Sequence, residues 1–429
     1  MRVLVIGSGG REHALVWKLA QSTRINAIWC APGNGGIGSE RLLTNGSLVQ
    51  CARIAVDDFA TLSQFARDQR IDLTVVGPDN PLAEGVVDFF QAEGLRIWGP
   101  NKRAALFEAS KVFAQQFMER HQIPTARAGT FQDAEAARKF AALLGGRCAV
   151  KADGLALGKG VLICRSPDEA DAAINQILLG KTFGEAGRQI VIQELLEGIE
   201  ISLHAICDGK TALLFPTSQD HKRALDHDQG LNTGGMGAYS PTPFLTPEKM
   251  AEISRLILDP WLKGCAAEGI NFHGLLYPGV MLTQDGPKVI EFNARFGDPE
   301  TQVYLTRLEN DLLDLLEASV DGTLDRIELK WSDSSSVCVI MASGGYPGAY
   351  QKDLPITGLE SAAEVPNVKI FHAGTAFAEG KFRTAGGRVL GITAWGKTLS
   401  LARNRAYEAA RRVHFEGAHY RTDIGSKAL

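Results

Sequence analysis

Short apolar runs alternate with amphipathic stretches over about the first hundred residues of the chain. The runs are typical of buried strands, and the stretches between them carry apolar residues at a helical period. Strands are predicted at 2–6, 27–30, 73–76 and 95–98, and helices at 11–21, 59–69 and 82–93. This alternation predicts an α/β fold with a doubly wound parallel sheet.

A glycine-rich turn, Gly7-Ser8-Gly9-Gly10, follows the first predicted strand and precedes the first predicted helix. A dinucleotide fingerprint would need glycine where Glu12 stands, and the second strand ends in Ala-Pro-Gly without an acid for a ribose. The helix dipole and free N–H groups at Gly9, Gly10 and Arg11 suit a single phosphate instead. The alternative is that the glycines only permit a tight turn.

A second glycine-rich segment, 152–160, lies between predicted strands at 147–151 and 161–164. A loop of this kind can fold over phosphates and donate its backbone N–H groups to them. The Walker-A pattern is excluded, because Gly160 follows Lys159 and a strand follows both. Lys151 and Lys159 could each meet a phosphate as point charges. The alternative is a plain flexible hairpin with solvated lysines.

The rest of the central region is predicted as helices and strands joined by polar loops. A linker at 194–200 joins two strands and could offer backbone groups to an adenine edge and a carboxylate to a ribose. Two loops, 217–223 and 231–241, are polar and glycine-rich, as binding loops often are. Helices are predicted at 104–120 and 134–144, and strands at 189–193 and 201–206.

The segment 288–300 is the strongest candidate for chemistry. Lys288 to Phe292 is predicted as a strand, in a hairpin with 275–282. Glu291 and Asn293 are two residues apart and therefore share a face, with Arg295 two residues further on. A carboxylate and an amide oxygen suit Mg²⁺ completed by phosphates and water. The alternative is an exposed strand end with a Glu–Arg pair.

The C-terminal hundred or so residues suggest strands and one helix without clear chemistry of their own. Strands are predicted at 335–341, 370–374 and 387–393, and a helix at 399–413.

Composition narrows the class of protein. A chain of 429 residues predicts two to four domains, and 45% hydrophobic with 22% charged residues is normal for a globular protein. A net charge of -4 gives no general attraction for nucleic acid or an anionic membrane. No window has the roughly 20 apolar residues of a membrane span. The seven cysteines are scattered without a CxxC pair, which predicts a reduced, cytoplasmic protein.

Six motifs together resemble the ATP-grasp superfamily, and within it the glycinamide ribonucleotide synthetase (phosphoribosylamine–glycine ligase) family. They are GSGGREHA at 7–14, APGN at 31–34, KADGLALGKGV at 151–161, TSQDHKR at 217–223, NTGGMGAYSP at 232–241 and EFNARFGDPETQ at 291–302. Two positions depart from the family pattern. Asp79 stands where the family usually has glutamate, and Tyr277-Pro278-Gly279 offers no acid on the strand before Glu291.

The resemblance implies three domains and a ligase reaction. An N-terminal doubly wound domain would cover 1–103, an ATP-grasp domain with a glycine-rich hairpin lid 104–325 (lid about 122–192), and a small α+β domain 326–429. The implied substrates are ATP, glycine and 5-phosphoribosylamine, with Mg²⁺ or Mn²⁺ as cofactor and no nucleic acid or membrane partner. A monomer is expected, with a weak dimer as the alternative. Another ATP-grasp ligase, a biotin-dependent carboxylase subunit and an ATP-binding regulatory protein stay open as alternatives.

The resemblance also implies roles for individual residues. ATP would be bound by Lys111, Lys151, Gly154, Gly158, Lys159, Gly160, Glu194, Leu196 and Glu200. The phosphate and ribose of the second substrate would be bound by Gly9, Gly10, Arg11, Glu12 and Asp79. The catalytic residues would be Arg295, Lys222 and Asp220, and the metal ligands Glu291 and Asn293.

Overall fold

The N-terminal region folds around a five-stranded parallel sheet. A computed structural model describes residues 1–155, 160–180 and 184–429. The elements are β1 (Arg2–Gly7), α1 (Gly10–Leu19), β2 (Ala27–Pro32), β3 (Gln50–Cys51), α2 (Phe59–Asp68), β4 (Leu73–Val76), α3 (Asp79–Glu84), α4 (Val86–Ala92) and β5 (Ile97–Trp98). The strand order is β3-β2-β1-β4-β5, which confirms the doubly wound parallel sheet.

The point where the strand order reverses positions the first part of the site. β1 and β4 are neighbours, and their carboxyl ends lead into the turn 7–10 and into Asp79. Ligands of open α/β sheets bind in the crevice at such a point. The sheet topology therefore places the turn 7–10 and Asp79 at the same crevice.

In the described residues the central region contributes two larger antiparallel sheets and the two-stranded hairpin of β14 and β15. Its elements are α5 (Lys102–Ala109), α6 (Lys111–Arg120), β6 (Ala128–Phe131), α7 (Ala134–Leu143), β7 (Arg147–Ala152), β8 (Val161–Arg165), α8 (Pro167–Ile174), β9 (Ile190–Glu194), β10 (Ile199–Ser202), β11 (Ala205–Asp208), β12 (Ala212–Leu214), β13 (Gln219–Asp220), β14 (Arg223–Leu225), β15 (Gln229–Asn232), β16 (Gly237–Ser240), α9 (Pro247–Ile253), α10 (Asp259–Ala267), β17 (His273–Thr283), β18 (Gly286–Asn293), α11 (Glu300–Leu305) and α12 (Leu312–Asp321). One sheet has the order β6-β9-β7-β8, and the other has β10-β17-β11-β12 with β18 on β17. The predicted hairpin of β17 and β18 is confirmed.

The C-terminal region is α+β, and its main sheet includes strands from the central region. Its elements are β19 (Ser335–Ala342), β20 (Pro355–Ile356), α13 (Leu359–Ala363), β21 (Val368–His372), β22 (Thr375–Ala378), β23 (Lys381–Thr384), β24 (Arg388–Gly396) and α14 (Leu399–Arg412). The sheet order is β13-β16-β19-β24-β21, so β13 and β16 are added to strands from more than ninety residues later. The two polar loops around β13 and β16 are thereby held against the C-terminal region.

Three predicted elements are each broken in two. The helix expected at 104–120 stops at Ser110, whose hydroxyl accepts from Phe113 N and donates to Asp153 Oδ1 at 2.9 Å. The helix expected at 82–93 is interrupted at Gly85, which has φ +97°. The strand expected at 201–206 is two strands, β10 and β11, which pair with successive parts of the long strand β17. Each prediction followed a local sequence pattern, which does not show where the helix or strand is interrupted in the folded chain.

No helix within the described ranges is long and apolar enough to cross a membrane.

Candidate active site

An open cavity of about 1050 Å³ is lined by residues of both central sheets and of the two terminal regions. The predicted site residues among its lining are Arg11, Asp79, Lys111, Lys151, Gly160, Glu194, Leu196, Glu200, Asp220, Lys222, Glu291, Asn293 and Arg295. Gly9, Gly10, Glu12 and Gly154 are described but are not among the lining residues. Gly158 and Lys159 lie outside the described residues.

Strand β18 presents its polar residues to the cavity. Glu291 and Asn293 line the cavity, and Phe292 between them also reaches its wall, although Phe292 and Ala294 are both almost fully buried in the core. Their positions follow from the alternation of side chains along a strand. Glu291 lies opposite Gly279, where a methyl group would make ordinary contact with Glu291 Cγ at 3.5 Å.

Glu291 belongs to a charged network at the cavity wall. Lys222 Nζ lies 2.6 Å from Glu200 Oε1 and 3.4 Å from Glu291 Oε1. Burial alone would raise the pKa of Glu291, but Lys222, Lys151 and Lys111 outweigh it and hold that pKa at about 2. Burial would lower the pKa of Lys222, but Glu200 and Glu291 raise it well above the usual value. Both groups are therefore charged at neutral pH.

Lys151 supplies a second cation behind Glu291. It is 3% exposed, and its Nζ donates to Ile290 O at 2.9 Å. Burial lowers its pKa to about 8, with Lys111 and Lys222 acting in the same direction and Glu291 opposing them. A bound phosphate would favour the protonated form of this lysine.

The donors at this wall fit a divalent cation that is shared with a substrate. Among the described residues, there is no group of three or more His, Cys, Asp or Glu that could hold a metal alone. Glu291 and Asn293 line the cavity and carry one carboxylate and one amide oxygen, and the amide oxygen accepts from Arg295 Nη2 at 3.4 Å. Mg²⁺ is commonly held by one or two protein oxygens, with phosphates and water completing its shell.

Arg295 is fixed by a partner that the sequence analysis did not identify. Its Nη2 lies 2.9 Å from Glu108 Oε1, and the other oxygen of Glu108 accepts from Ala294 N at 2.8 Å. The alternative of an exposed strand end with a Glu–Arg pair is wrong, because Arg295 pairs with a residue of α5. Nε of Arg295 is buried without a hydrogen-bond partner among the described residues. Arg295 therefore has one N–H group that no described residue accepts.

Asp220, like Arg295, has a buried polar atom that no described residue hydrogen-bonds. Its Oδ1 is buried without a hydrogen-bond partner among the described residues. Burial, followed by the charge of Glu300, raises the pKa of Asp220 well above its usual value. Glu300 accepts from Tyr277 Oη at 2.5 Å and from Ser202 Oγ at 3.1 Å. Asp220 therefore lines the cavity with one carboxyl oxygen that no described residue satisfies.

The side chain of Glu12 contacts the glycine turn 7–10. Its carboxylate accepts from Gly9 N at 2.5 Å and contacts Arg11 Nε at 2.5 Å. A methyl group at Gly9 or Gly77 would lie 2.8 or 2.1 Å from the same carboxylate. Glu12 is 2% exposed, and its bond to Gly9 N caps the start of the helix. Arg11, in contrast, lines the cavity.

Arg388 brings the C-terminal region into the site, although no sequence motif marked it. It donates to Asp298 O and Asp298 Oδ2, each at 2.7 Å, and to Gly234 O. Gly234 N donates to Tyr346 Oη at 3.1 Å. Arg388 and Tyr346 both line the cavity. Sequence reasoning missed Arg388 because its partners lie about 90 and 154 residues away.

Comparison with known proteins gives a consistent family across the chain. Family models described as "Phosphoribosylglycinamide synthetase" match its N domain to 1–108, its ATP-grasp (A) domain to 109–301 and its C domain to 336–427. A protein of Vibrio vulnificus named phosphoribosylamine–glycine ligase is 49% identical over 100% of this chain and 99% of its own length.

Solved structures show the same fold. A crystal structure of phosphoribosylamine–glycine ligase from Thermotoga maritima is 34% identical, with a TM-score of 0.81, over 99% of this chain and 100% of its own. The biotin carboxylase domain of a Hydrogenobacter thermophilus 2-oxoglutarate carboxylase, in complex with MgADP and bicarbonate, has a TM-score of 0.73 over 98% of this chain and 91% of its own. At 16% identity the second likeness concerns the fold alone.

Proposed function

The chain belongs to the phosphoribosylglycinamide synthetase family, and we propose that it joins glycine to 5-phosphoribosylamine with ATP in de novo purine biosynthesis, through a glycyl phosphate. The observation that carries the proposal is the convergence of Glu291, Asn293, Lys222 and Arg295 on one cavity. This set suits phosphoryl transfer, which depends on positioning and charge neutralisation more than on covalent help from the protein.

The reaction has two steps. A glycine carboxylate oxygen attacks the γ-phosphorus of ATP, a new O–P bond forms, and the bond to ADP breaks. The amine of 5-phosphoribosylamine then attacks the acyl carbon, a C–N bond forms, and inorganic phosphate leaves with the C–O bond electrons. The amine loses one proton. Activation is needed because a carboxylate is a poor electrophile.

ATP is assigned to the lid side of the cavity. Lys111, Lys151, Gly154, Gly158, Lys159 and Gly160 are proposed to surround its phosphates. The linker between β9 and β10 supports the nucleotide assignment, because Glu194, Leu196 and Glu200 line the cavity there. Glu291 and Asn293 would hold Mg²⁺ or Mn²⁺, which neutralises phosphate charge when bound.

Three residues are proposed to act on the reacting groups. Arg295 would donate to the transferring phosphoryl group, since one of its N–H groups is unpaired within the described residues. Lys222 would neutralise the charge that develops next to Glu291. Asp220 would accept a proton or hydrogen bond from a substrate amine, because its raised pKa suits it to that exchange.

The ribose phosphate is assigned to the crevice between β1 and β4. Gly9, Gly10, Arg11, Glu12 and Asp79 remain the proposed residues for this substrate, although the N–H group of Gly9 is not free, because it donates to Glu12. Arg11 and Asp79 line the cavity from adjacent strand ends, which supports their assignment. Asp79 has one carbon fewer than the usual glutamate of the family, so its reach to a ribose hydroxyl is shorter.

The proposal is tested by measuring ADP release while each substrate is omitted in turn. Release should require glycine and 5-phosphoribosylamine together with ATP, and bicarbonate with biotin should not replace them. Arg11→Ala should raise KM for phosphoribosylamine by about tenfold with little change in KM for ATP, because it removes one charged contact to the phosphate. The control is Arg41→Ala, because Arg41 does not line the cavity. ADP release that ignores glycine would contradict the proposal.

Three further features stay proposals. The domain boundaries are 1–103, 104–325 (lid about 122–192) and 326–429. A cytoplasmic location is supported by seven free cysteines, which suit a reducing compartment. A monomer, or a weak dimer, acts on small-molecule substrates, and sedimentation of the purified protein would decide between them.

A further inference from the structure

The hairpin β14–β15 carries Lys222 at one end and Thr233 at the other. Its strands pair only at Arg223–Asn232 and Leu225–Gln229, and in the described chain they join no larger sheet. Leu225 and Leu231 are 48% and 66% exposed and only the small side chain of Ala224 is buried, so burial of apolar surface contributes little to holding the hairpin. An isolated two-stranded hairpin is marginally stable in water. Something else must fix the strand that follows Lys222.

Residues 419–428, here named the clamp, bind the turn of this hairpin. Thr422 donates from its backbone N at 2.7 Å and from its hydroxyl at 2.5 Å to the two oxygens of Asp226. In return, His227 N donates to Asp423 Oδ2 at 2.8 Å. The turn is therefore bound through both side-chain and backbone groups.

Arg421 is the centre of the clamp. Its side chain is fully buried, and it donates to both oxygens of Asp423 at 2.7 Å. It also reaches the hairpin, at Asp228 Oδ1 (3.0 Å) and Arg223 O (3.1 Å). Lys427 Nζ lies 2.5 Å from the other oxygen of Asp228. A buried guanidinium with fixed partners has little freedom to follow a displaced hairpin.

The clamp also contacts the segment that carries Asp220 and Lys222. His419 Nε2 contacts Ala224 O at 2.7 Å, and Gly425 N donates to His221 Nε2 at 3.4 Å. Because Nε2 of His221 is an acceptor, its Nδ1 carries the proton and donates to Gly237 O at 3.2 Å. His221 stands between Asp220 and Lys222 and is buried away from the cavity lining.

We propose that the clamp positions Lys222, and that Arg421, Asp226 and Asp228 are positioning residues for the ligation. The proposal rests on the role of Lys222 proposed above. Lys222 is followed directly by the clamped strand, and its carbonyl accepts from Thr233 N and Oγ1 at 2.8 and 2.9 Å. Displacement of the hairpin would therefore move Lys222 relative to Glu200 and Glu291. A shift of about 1 Å in a positioning group can cost about 100-fold in rate.

The test is the double variant Asp226→Asn with Asp228→Asn, which removes the hairpin's charged contacts to the clamp. Asp353→Asn is the control for the change of an ion-paired aspartate. Asp228 lines the cavity and Asp353 does not, so Asp226→Asn alone, at a residue outside the lining, is measured as well. Like Asp228, Asp353 has a positive φ (65° against 54°) and an ion pair with an arginine, but its partner is Arg383. Asparagine tolerates that backbone conformation, so all variants should fold.

We expect amide exchange at 223–233 to become at least about tenfold faster in the double variant, and kcat to fall by about 10–100-fold. ATP affinity should stay within about twofold, since the linker 194–200 is untouched. The control should match the unmodified chain in all three measurements. A general loss of structure would instead lower ATP affinity and kcat together, and would contradict a positioning role.

Two other results would overturn the proposal in distinguishable ways. Unchanged exchange at 223–233 would show that the clamp does not hold the hairpin. Faster exchange with unchanged kcat would show that the hairpin does not position Lys222. Lys222→Met, measured alongside, tests the role of Lys222 separately from its positioning by the clamp. Full activity of that variant would refute the proposed role of Lys222 itself and the positioning claim with it.

Discussion

Replacing Glu291 by glutamine should lower kcat by at least about 100-fold while the protein remains folded. The change keeps the shape of the side chain but removes the carboxylate that faces Lys222, Lys151 and Lys111. It also removes the charged donor proposed for the divalent cation, and loss of one electrostatic stabiliser typically costs about 10²–10³ in kcat. The measurement is kcat at saturating substrates, together with the melting temperature.

Glu268→Gln is the control for this change. Glu268 has a similar side-chain exposure (23%, against 25% for Glu291) and also pairs with cations, Arg120 and His121, but it does not line the cavity. Its activity should remain within about twofold. Near-normal kcat in a folded Glu291→Gln variant would contradict the role of β18 in catalysis.

Replacing Arg295 by lysine should lower kcat by about 10²–10³-fold and leave ATP affinity nearly unchanged. Lysine keeps one charge but lacks the planar fork, so it cannot hold Glu108 and also donate to the phosphoryl group with defined geometry. Because negative charge spreads during transfer, the lost contact affects the transition state more than bound ATP. The measurements are kcat, the Kd for ATP and the melting temperature.

Arg295→Met alone would change kcat and the stability of the fold together, because it leaves Glu108 buried without its partner. That kind of loss typically costs about 3–5 kcal/mol in the free energy of unfolding. The double variant Arg295→Met with Glu108→Gln removes both charges and should recover stability but not kcat. Arg307→Lys, at a buried arginine outside the cavity lining, controls for the substitution itself. Full kcat in Arg295→Lys would refute the catalytic role.

The local part of the site was predictable from the sequence. An apolar strand with a turn before it predicted the hairpin of β17 and β18, and alternation along β18 predicted that Glu291 and Asn293 share a face. The strand–turn–helix pattern likewise predicted the N-terminal sheet and its crevice. These features depend on neighbours within a few residues, so a local pattern carries them.

The partners of these residues were not predictable in the same way. The break at Ser110 depends on Asp153, and the orientation of Arg295 depends on Glu108, which lies almost 190 residues earlier. The loops around β13 and β16 are held by β19 and by the clamp, far later in the chain. No local periodicity records such contacts. Sequence reasoning therefore found the polar groups of the site but not the groups that hold them.

Glycine labelled with ¹⁸O in its carboxylate tests the central claim most directly. If a glycine oxygen attacks the γ-phosphorus and the amine then displaces phosphate from the acyl carbon, that oxygen must leave with the phosphate. Mass spectrometry of the inorganic phosphate formed with ATP and 5-phosphoribosylamine should therefore find one ¹⁸O atom in each molecule made from labelled glycine. Unlabelled phosphate, formed in amounts equal to the glycinamide product, would contradict ligation through a glycyl phosphate.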